Sequence, residues 1–405
     1  MRRLALVLIL IALGGIAWVV RDLYRPYRGY SGDQFVLIEP GTNALGAASL
    51  LVERGVLAHR WPFLFRYWLG RTRHRLKAGE YLFNRPLRPV DVYRRLILGD
   101  VFLHTVVVPE GSDRFDIARI VHQQLGLNPE EFLHTTEQTS AIQDLDPRTP
   151  SLEGYLFPDT YRFPRGVTCV GVVEAMLARF RQVLATRIPM ELRPPAEDLH
   201  DVITLASLVE KETPVPGERP VVAGVFINRL AQGVALQCDP TVVYAARLNH
   251  RPIGPITEDD LEFDSPYNTY RYAGLPPGPI ASPGEASIRA ALEPATVDFF
   301  YFVSDNRGGH IFSRTLAEHQ RNVARYRREV AALRRVTAGE AKNSSSLAGQ
   351  RGKSDATSSS KPRARSHEQK TVHPRSLSGT GARTRRKTGD SGHPGRASTA
   401  PGAWP

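Results

Sequence analysis

Two carboxylates stand two residues apart in Ser207-Leu208-Val209-Glu210-Lys211-Glu212-Thr213. Before them Val202, Leu205, Ala206 and Val209 recur at i, i+3, i+4 and i+7, which predicts a helix over 197–213 with one core face. A carboxyl group at the end of such a helix, withdrawn from water, keeps its proton to higher pH and can act as a general acid. Ala206 and Ser207 are small and would leave room beside Glu210. Glu212 is the competing carboxylate, further round the helix and nearer its end. The plainer reading is a solvated charge cluster, because acids at a helix C-terminus gain nothing from the macrodipole. The segment alone leaves both open.

A second informative stretch runs over 237–280. It reads as a long loop carrying Gln237-Cys238-Asp239-Pro240-Thr241, Pro266-Tyr267-Asn268-Thr269-Tyr270 and Gly274-Leu275-Pro276-Pro277-Gly278-Pro279-Ile280. Long loops in compact domains are usually functional or disordered, and this one is too apolar for disorder. Tyr rings offer flat apolar faces, while Asn, Gln and Thr offer neutral donors, a combination that suits a sugar. Such a segment can equally be a Pro/Tyr cover over a core, with Asp239-Pro240 a simple turn. The chain has no H-E-x-x-H, no G-x-S-x-G elbow, no Gly-rich phosphate loop and no Cys/His pairing, so neither a metal nor a cofactor is expected.

The elements that must position these groups read as α+β. A strand over 33–38 is followed by a helix capped by Thr42 or Asn43, with Leu45, Ser49 and Val52 inward. A helix over 61–70, a strand over 80–83 and a helix opening at Pro89, with Val92, Leu96 and Ile97 on one face, complete a small α+β module over 33–100. A mixed α/β domain over 101–335 follows. Its strands are expected over 102–108 and 299–303, and its helices over 115–125, 170–186, 197–213, from Pro220 to about residue 230, and 316–334.

The formal charge of +12 is unevenly placed. Residues 337–405 hold 13 Lys/Arg against 4 Asp/Glu, and the rest holds 40 against 37. The region 336–405 is rich in Ser, Gly, Arg and Lys and reads as a disordered basic tail. Cys169 and Cys238 are the two cysteines, enough for one bridge outside the cytoplasm and otherwise small buried side chains. Residues 4–20 form an apolar run of 17 residues behind Arg2 and Arg3. As a helix it would span about 26 Å. Lacking a small-x-small cleavage site, the run reads as an uncleaved anchor over 1–21, with the N-terminus cytoplasmic and the rest outside.

Several motifs in order resemble the endolytic murein (peptidoglycan) transglycosylase family. They are the Leu205–Thr213 run, Val225-Phe226-Ile227-Asn228-Arg229-Leu230, Asp239-Pro240-Thr241-Val242-Val243-Tyr244, Tyr267-Asn268-Thr269-Tyr270, the Gly274–Ile280 segment, Tyr301-Phe302-Val303 and Glu153-Gly154-Tyr155-Leu156-Phe157-Pro158-Asp159-Thr160-Tyr161. The resemblance runs from the anchor to about residue 330. It implies that the 33–100 module is LysM-like and that 101–335 is the catalytic domain. It makes Glu210 the catalytic acid, placed 18 residues before Asn228, a register shared with spore-cortex lytic enzymes and missed by Glu212. It further implies that Tyr267, Asn268 and Thr269 hold glycan, and that Gln237, Asp239 and Thr241 shape the cleft. The expected partners are peptidoglycan strands, the inner membrane and peptidoglycan synthases. The alternatives are a non-catalytic wall-binding scaffold and, on the basic tail alone, a nucleic-acid binder, which an exported domain without a basic face argues against.

Overall fold

The computed structural model describes residues 2–70, 75–252, 254–332 and 335; the basic tail expected over 336–405 lies outside the described residues. The N-terminal apolar run forms α1 (Arg2–Tyr24), long and apolar enough over Val7–Tyr24 to cross a membrane.

Two hydrophobic cores follow. In the first, β1 (Gln34–Ile38) pairs antiparallel with β2 (Gly79–Phe83), so that Val36 faces Tyr81 and Ile38 faces Gly79. The period of two turns Val36 and Ile38 inward and leaves Phe35 and Leu37 exposed. α2 (Ala44–Glu53), α3 (Trp61–Gly70) and α4 (Pro89–Leu98) complete this core. Asn43 caps α2 by accepting a hydrogen bond from the Gly46 N–H at 2.8 Å. The buried face of α2 differs from the expected one: Ala47, Ala48 and Leu51 are inside, whereas Leu45 is exposed and Ser49 and Val52 are only partly covered. Two alanines let the helix approach β1 and α3 closely, which Leu45 could not.

The second core spans Val106 to Ala291. β3 (Leu103–Val107) pairs antiparallel with β4 (Thr160–Pro164), and β5 (Tyr301–Ser304) with β6 (His310–Ser313). Around them lie α5 (Arg114–Leu125), α6 (Pro129–Thr136), α7 (Cys169–Thr186), α8 (Ala196–Glu212), α9 (Arg219–Ala231), α10 (Asp239–Leu248), α11 (Glu258–Leu261), α12 (Glu285–Leu292) and a final helix, α13, over 316–332. Among the described residues all three ribbons are two-stranded and antiparallel, so the chain is α+β; the mixed α/β body expected over 101–335 is there a helical one with two such ribbons. Glu80 ties the two cores together. Its Oε2 lies 2.8 Å from His104 Nε2, and its Oε1 accepts from Arg165 at 2.7 Å.

α8 is the central helix. Every residue from Val202 to Val209 is buried, so it is enclosed on all sides and not on one face, packed against α12, α9 and α10. Burying Leu205 and Leu208 stabilises the fold by about 2 kcal/mol each. Its polar members are satisfied inside. Ser207 Oγ donates to Thr204 O at 2.7 Å and accepts from the Ile280 N–H at 3.1 Å. His200 lies 2.7 Å from Asp146 and 3.0 Å from the Pro277 carbonyl. The helix therefore seats the Gly274–Ile280 segment from below. It stops where Thr213 turns extended ahead of Pro214.

α9 is locked in a similar way. Asn228 donates from Nδ2 to the carbonyls of Val297 and Phe299 at 2.7 and 3.0 Å, and Arg229 bonds the carbonyls of Phe300, Ala235 and Leu236. The Asn-Arg pair is thus a staple that brings the segment leading into β5 onto α9.

Candidate active site

Glu210 leaves α8 in its last turn, and its side chain is only 6% exposed. Its Oε2 accepts from the backbone N–H of Gly284 at 2.9 Å, the residue that caps the start of α12. Its Oε1 accepts from Arg219 Nη2 at 3.3 Å. The carboxylate is therefore buried, as an acid role requires, but not in an apolar pocket. It is held by a cation and by a helix N-terminus.

The same Arg219 nitrogen lies 3.8 Å from Oε2 of Glu110, whose side chain is half-exposed. Burial first, and the Glu210 charge second, raise the Glu110 carboxyl above its ordinary range, against the lowering by Arg219. Glu110 sits in the turn between β3 and α5. That turn is pinned by two backbone bonds, Gly111 N–H to Ser282 O at 2.9 Å and Ser282 N–H to Ser112 O at 2.8 Å. Gly111 takes a left-handed φ of 73° and passes 3.6 Å from Glu210 Cγ, measured from where a Cβ would stand. At Gly284 a Cβ would fall 2.0 Å from Glu110 Oε1, so glycine is what lets Glu110 lie over this helix start. One arginine thus faces two carboxylates and can balance the charge of only one of them. Glu110, Arg219 and Gly284 did not emerge from the sequence.

Glu212 points elsewhere. It is partly buried beside Cys238, Asp239, His310 and Arg229, and desolvation raises its carboxyl above the ordinary range. Its end of the helix is not frayed, since Thr213 is fully buried and accepts from the Val215 N–H at 3.1 Å. Burial, then the Glu212 charge, pushes the Cys238 thiol up. Cys169 and Cys238 are both free.

The 237–280 stretch is less of a loop than expected. Asp239-Pro240 opens α10, with proline at a position where no amide hydrogen is needed. Of the six residues expected to hold glycan or to shape the cleft, three turn inward. Asn268 is fully buried, donating to the carbonyls of Leu261 and Phe263 and accepting from the Tyr270 N–H. Thr241 and Thr269 are buried and bond each other at 2.9 Å; Thr269 Oγ1 also accepts from the Cys238 N–H. These three brace the stretch and face no solvent. Gln237 and Asp239 are exposed and Tyr267 half-buried. Gln237 is held in a left-handed conformation (φ 51°) with its N–H on Thr269 O, and Asp239 accepts from the Tyr270 hydroxyl at 2.5 Å. The Tyr267 ring packs on Tyr244 at 5.1 Å.

Behind Tyr244 lies a carboxyl the sequence reading did not single out. Glu153 is 1% exposed and accepts from the Tyr244 hydroxyl and the Arg114 N–H, both at 3.0 Å. Burial, with the Asp113 charge adding to it, pushes its pKa up to about 8.

Residues 36–325 match the model of a family described as YceG-like. The chain is 31% identical over 300 residues to an endolytic murein transglycosylase of Bacillus subtilis (strain 168), covering 70% of this chain and 82% of that protein. It is 30% identical over 342 residues to an endolytic murein transglycosylase of Streptococcus pneumoniae serotype 2, covering 73% of this chain and 62% of that longer protein. A solved yceG-like protein from Listeria monocytogenes is 32% identical, with a TM-score of 0.49 over 72% of this chain and 99% of the other.

Proposed function

The chain belongs to the YceG-like family, and from that premise we propose that it is a peptidoglycan lytic transglycosylase with Glu210 as its acid and base. The observation that carries the residue assignment is the hold on Glu210. Its two oxygens are fixed by the Gly284 N–H and by Arg219, and Glu110 crowds the same cation.

Ordinary glycosidases divide the work between two carboxyl groups, an acid and a nucleophile or base. In this reaction one group performs both proton transfers. Glu210 as the carboxylic acid protonates the oxygen between MurNAc and GlcNAc while the bond from that oxygen to the MurNAc anomeric carbon breaks. The resulting carboxylate then takes the proton of the MurNAc C6 hydroxyl, whose oxygen bonds the anomeric carbon. The product is a 1,6-anhydro-MurNAc end, water is not consumed, and Glu210 regains its proton. Glu110 shares Arg219 with Glu210 and so helps to position the cation beside the reacting carboxyl. Gln237, Asp239 and Tyr267 contact the glycan; Thr241, Asn268 and Thr269 hold those three in place.

The domain reading is an anchor in α1, a LysM-like module over 33–100 around the first core, and the catalytic domain over 101–335 around the second. With α1 in the inner membrane, cleavage takes place inside strands still being extended by synthases beside the bilayer, and it ends their growth. The test is digestion of purified glycan strands by the full chain in detergent, followed by mass spectrometry. Anhydro-MurNAc ends that disappear in Glu210→Gln are the expected result. Reducing MurNAc ends would mean a hydrolase, and uncut strands would leave a wall-binding scaffold.

A further inference from the structure

α3 is apolar on two sides. Pro62 and Phe63 are buried and Leu64 and Tyr67 pack against the small core, yet Phe65, Trp68 and Leu69 are 43, 60 and 62% exposed. The last three stand at i, i+3 and i+4 and so form one stripe. A surface helix normally presents polar groups there; one that is apolar on both faces meets the core on one and another low-polarity medium on the other.

The position of α3 identifies that medium. Its first residue, Trp61, stacks on Trp18 of α1 with ring centroids 5.2 Å apart and planes at 21°. Trp18 lies within the Val7–Tyr24 stretch, one to two helical turns before its end, or roughly 9 Å. The same end is tied to the module twice more. Tyr27 and Leu87 exchange backbone hydrogen bonds at 3.0 and 3.3 Å, and Arg88 lies over the Tyr24 ring. α3 therefore starts at the outer boundary of whatever layer receives α1. Residues 61–77 contain no Asp or Glu, and their second half carries Arg71, Arg73, Arg75 and Lys77. Tryptophan at a membrane boundary, a stripe of large apolar side chains and a neighbouring basic run are the features of an interfacial helix.

We propose that α3 lies in the membrane interface, with Phe65, Trp68 and Leu69 in the headgroup–acyl boundary of the bilayer that α1 spans. The inference rests on α1 being an anchor and adds a second attachment that fixes how the small module meets the lipid. A single span leaves the tilt and rotation of α1 and the module together open; a helix laid in the interface removes that freedom.

The test uses the full chain in phosphatidylethanolamine–phosphatidylglycerol nanodiscs, spin-labelled at Leu69→Cys, at Leu10→Cys in α1 and at the exposed Glu39→Cys. The native Cys169 and Cys238 are buried, and the unsubstituted chain serves as the labelling control. The expected result is a Leu69→Cys label several-fold more accessible to oxygen than to a water-soluble nickel chelate, like Leu10→Cys and unlike Glu39→Cys. A Leu69→Cys label as open to nickel as Glu39→Cys overturns the inference, and one shielded from both reagents overturns it in favour of a protein partner or a second copy. If Leu10→Cys also reports water, it is the anchor reading that has failed.

Discussion

Glu210 and Gly284 are joined by a 2.9 Å hydrogen bond from the amide that opens α12 to the carboxylate that ends α8. The bond couples two helix ends of opposite character, and Gly284 also makes room for Glu110. The chemistry of the site and its backbone geometry are therefore the same structure seen from two sides.

Gly284→Ala should act on Glu110 and leave the fold largely intact. The backbone there has an ordinary φ of −75°, and the obstructing atom is the tip of a flexible side chain. The cost to stability should be about 1 kcal/mol, the usual effect of alanine at a helix start. Turnover of glycan should fall with the unfolding midpoint lowered by only a few degrees; unaltered turnover would mean that Glu110 is a bystander.

Glu110→Gln removes a negative charge from the pair around Arg219. The hold on Glu210 through Arg219 and Gly284 survives that change, so glycan turnover should fall several-fold at most, whereas Arg219→Gln frees Glu210 Oε1 and should cost about tenfold or more. Turnover measured on the same glycan strands decides the matter, and an equal loss in the two variants would sink the distinction.

Glu153 makes stability depend on pH. Its folded pKa is raised to about 8 from an ordinary 4.5, so between those values the folded chain binds the proton more tightly than the unfolded one. Its contribution is complete below about 4.5 and drains away as pH rises toward 8, at up to roughly 1.4 kcal/mol per pH unit. Urea midpoints across this window should fall with pH in the parent and fall less steeply in Glu153→Gln. Parallel slopes in the two would rule out the assignment.

Gly224→Ala should be far more damaging than the change at Gly284. Its Cβ would stand 2.3 Å from the Ala295 carbonyl oxygen and 2.9 Å from Val297, and backbone cannot step aside as a side chain can. A loss of about 3 kcal/mol in denaturant titration is expected. Asn228→Ala should approach it, because two carbonyls lose their donor.

Local features follow from residues adjacent in the chain. Apolar periodicity over 197–213, closed by Pro214, specified α8 to within a residue, and Pro89 and Asn43 marked their helix starts. An unbroken apolar run specified α1. These are properties of neighbours in the chain, and neighbours carry their own evidence. The motif containing Glu210 was legible for the same reason. Tertiary structure alone decided what surrounds it: Arg219 from the next helix, Glu110 from a turn far upstream and Gly284 from one far downstream. It also turned Thr241, Asn268 and Thr269 inward, and β6 became visible only through its pairing with β5. Polar residues carry no mark of the direction they will face. That depends on which distant carbonyls and amides need a partner once the helices have packed.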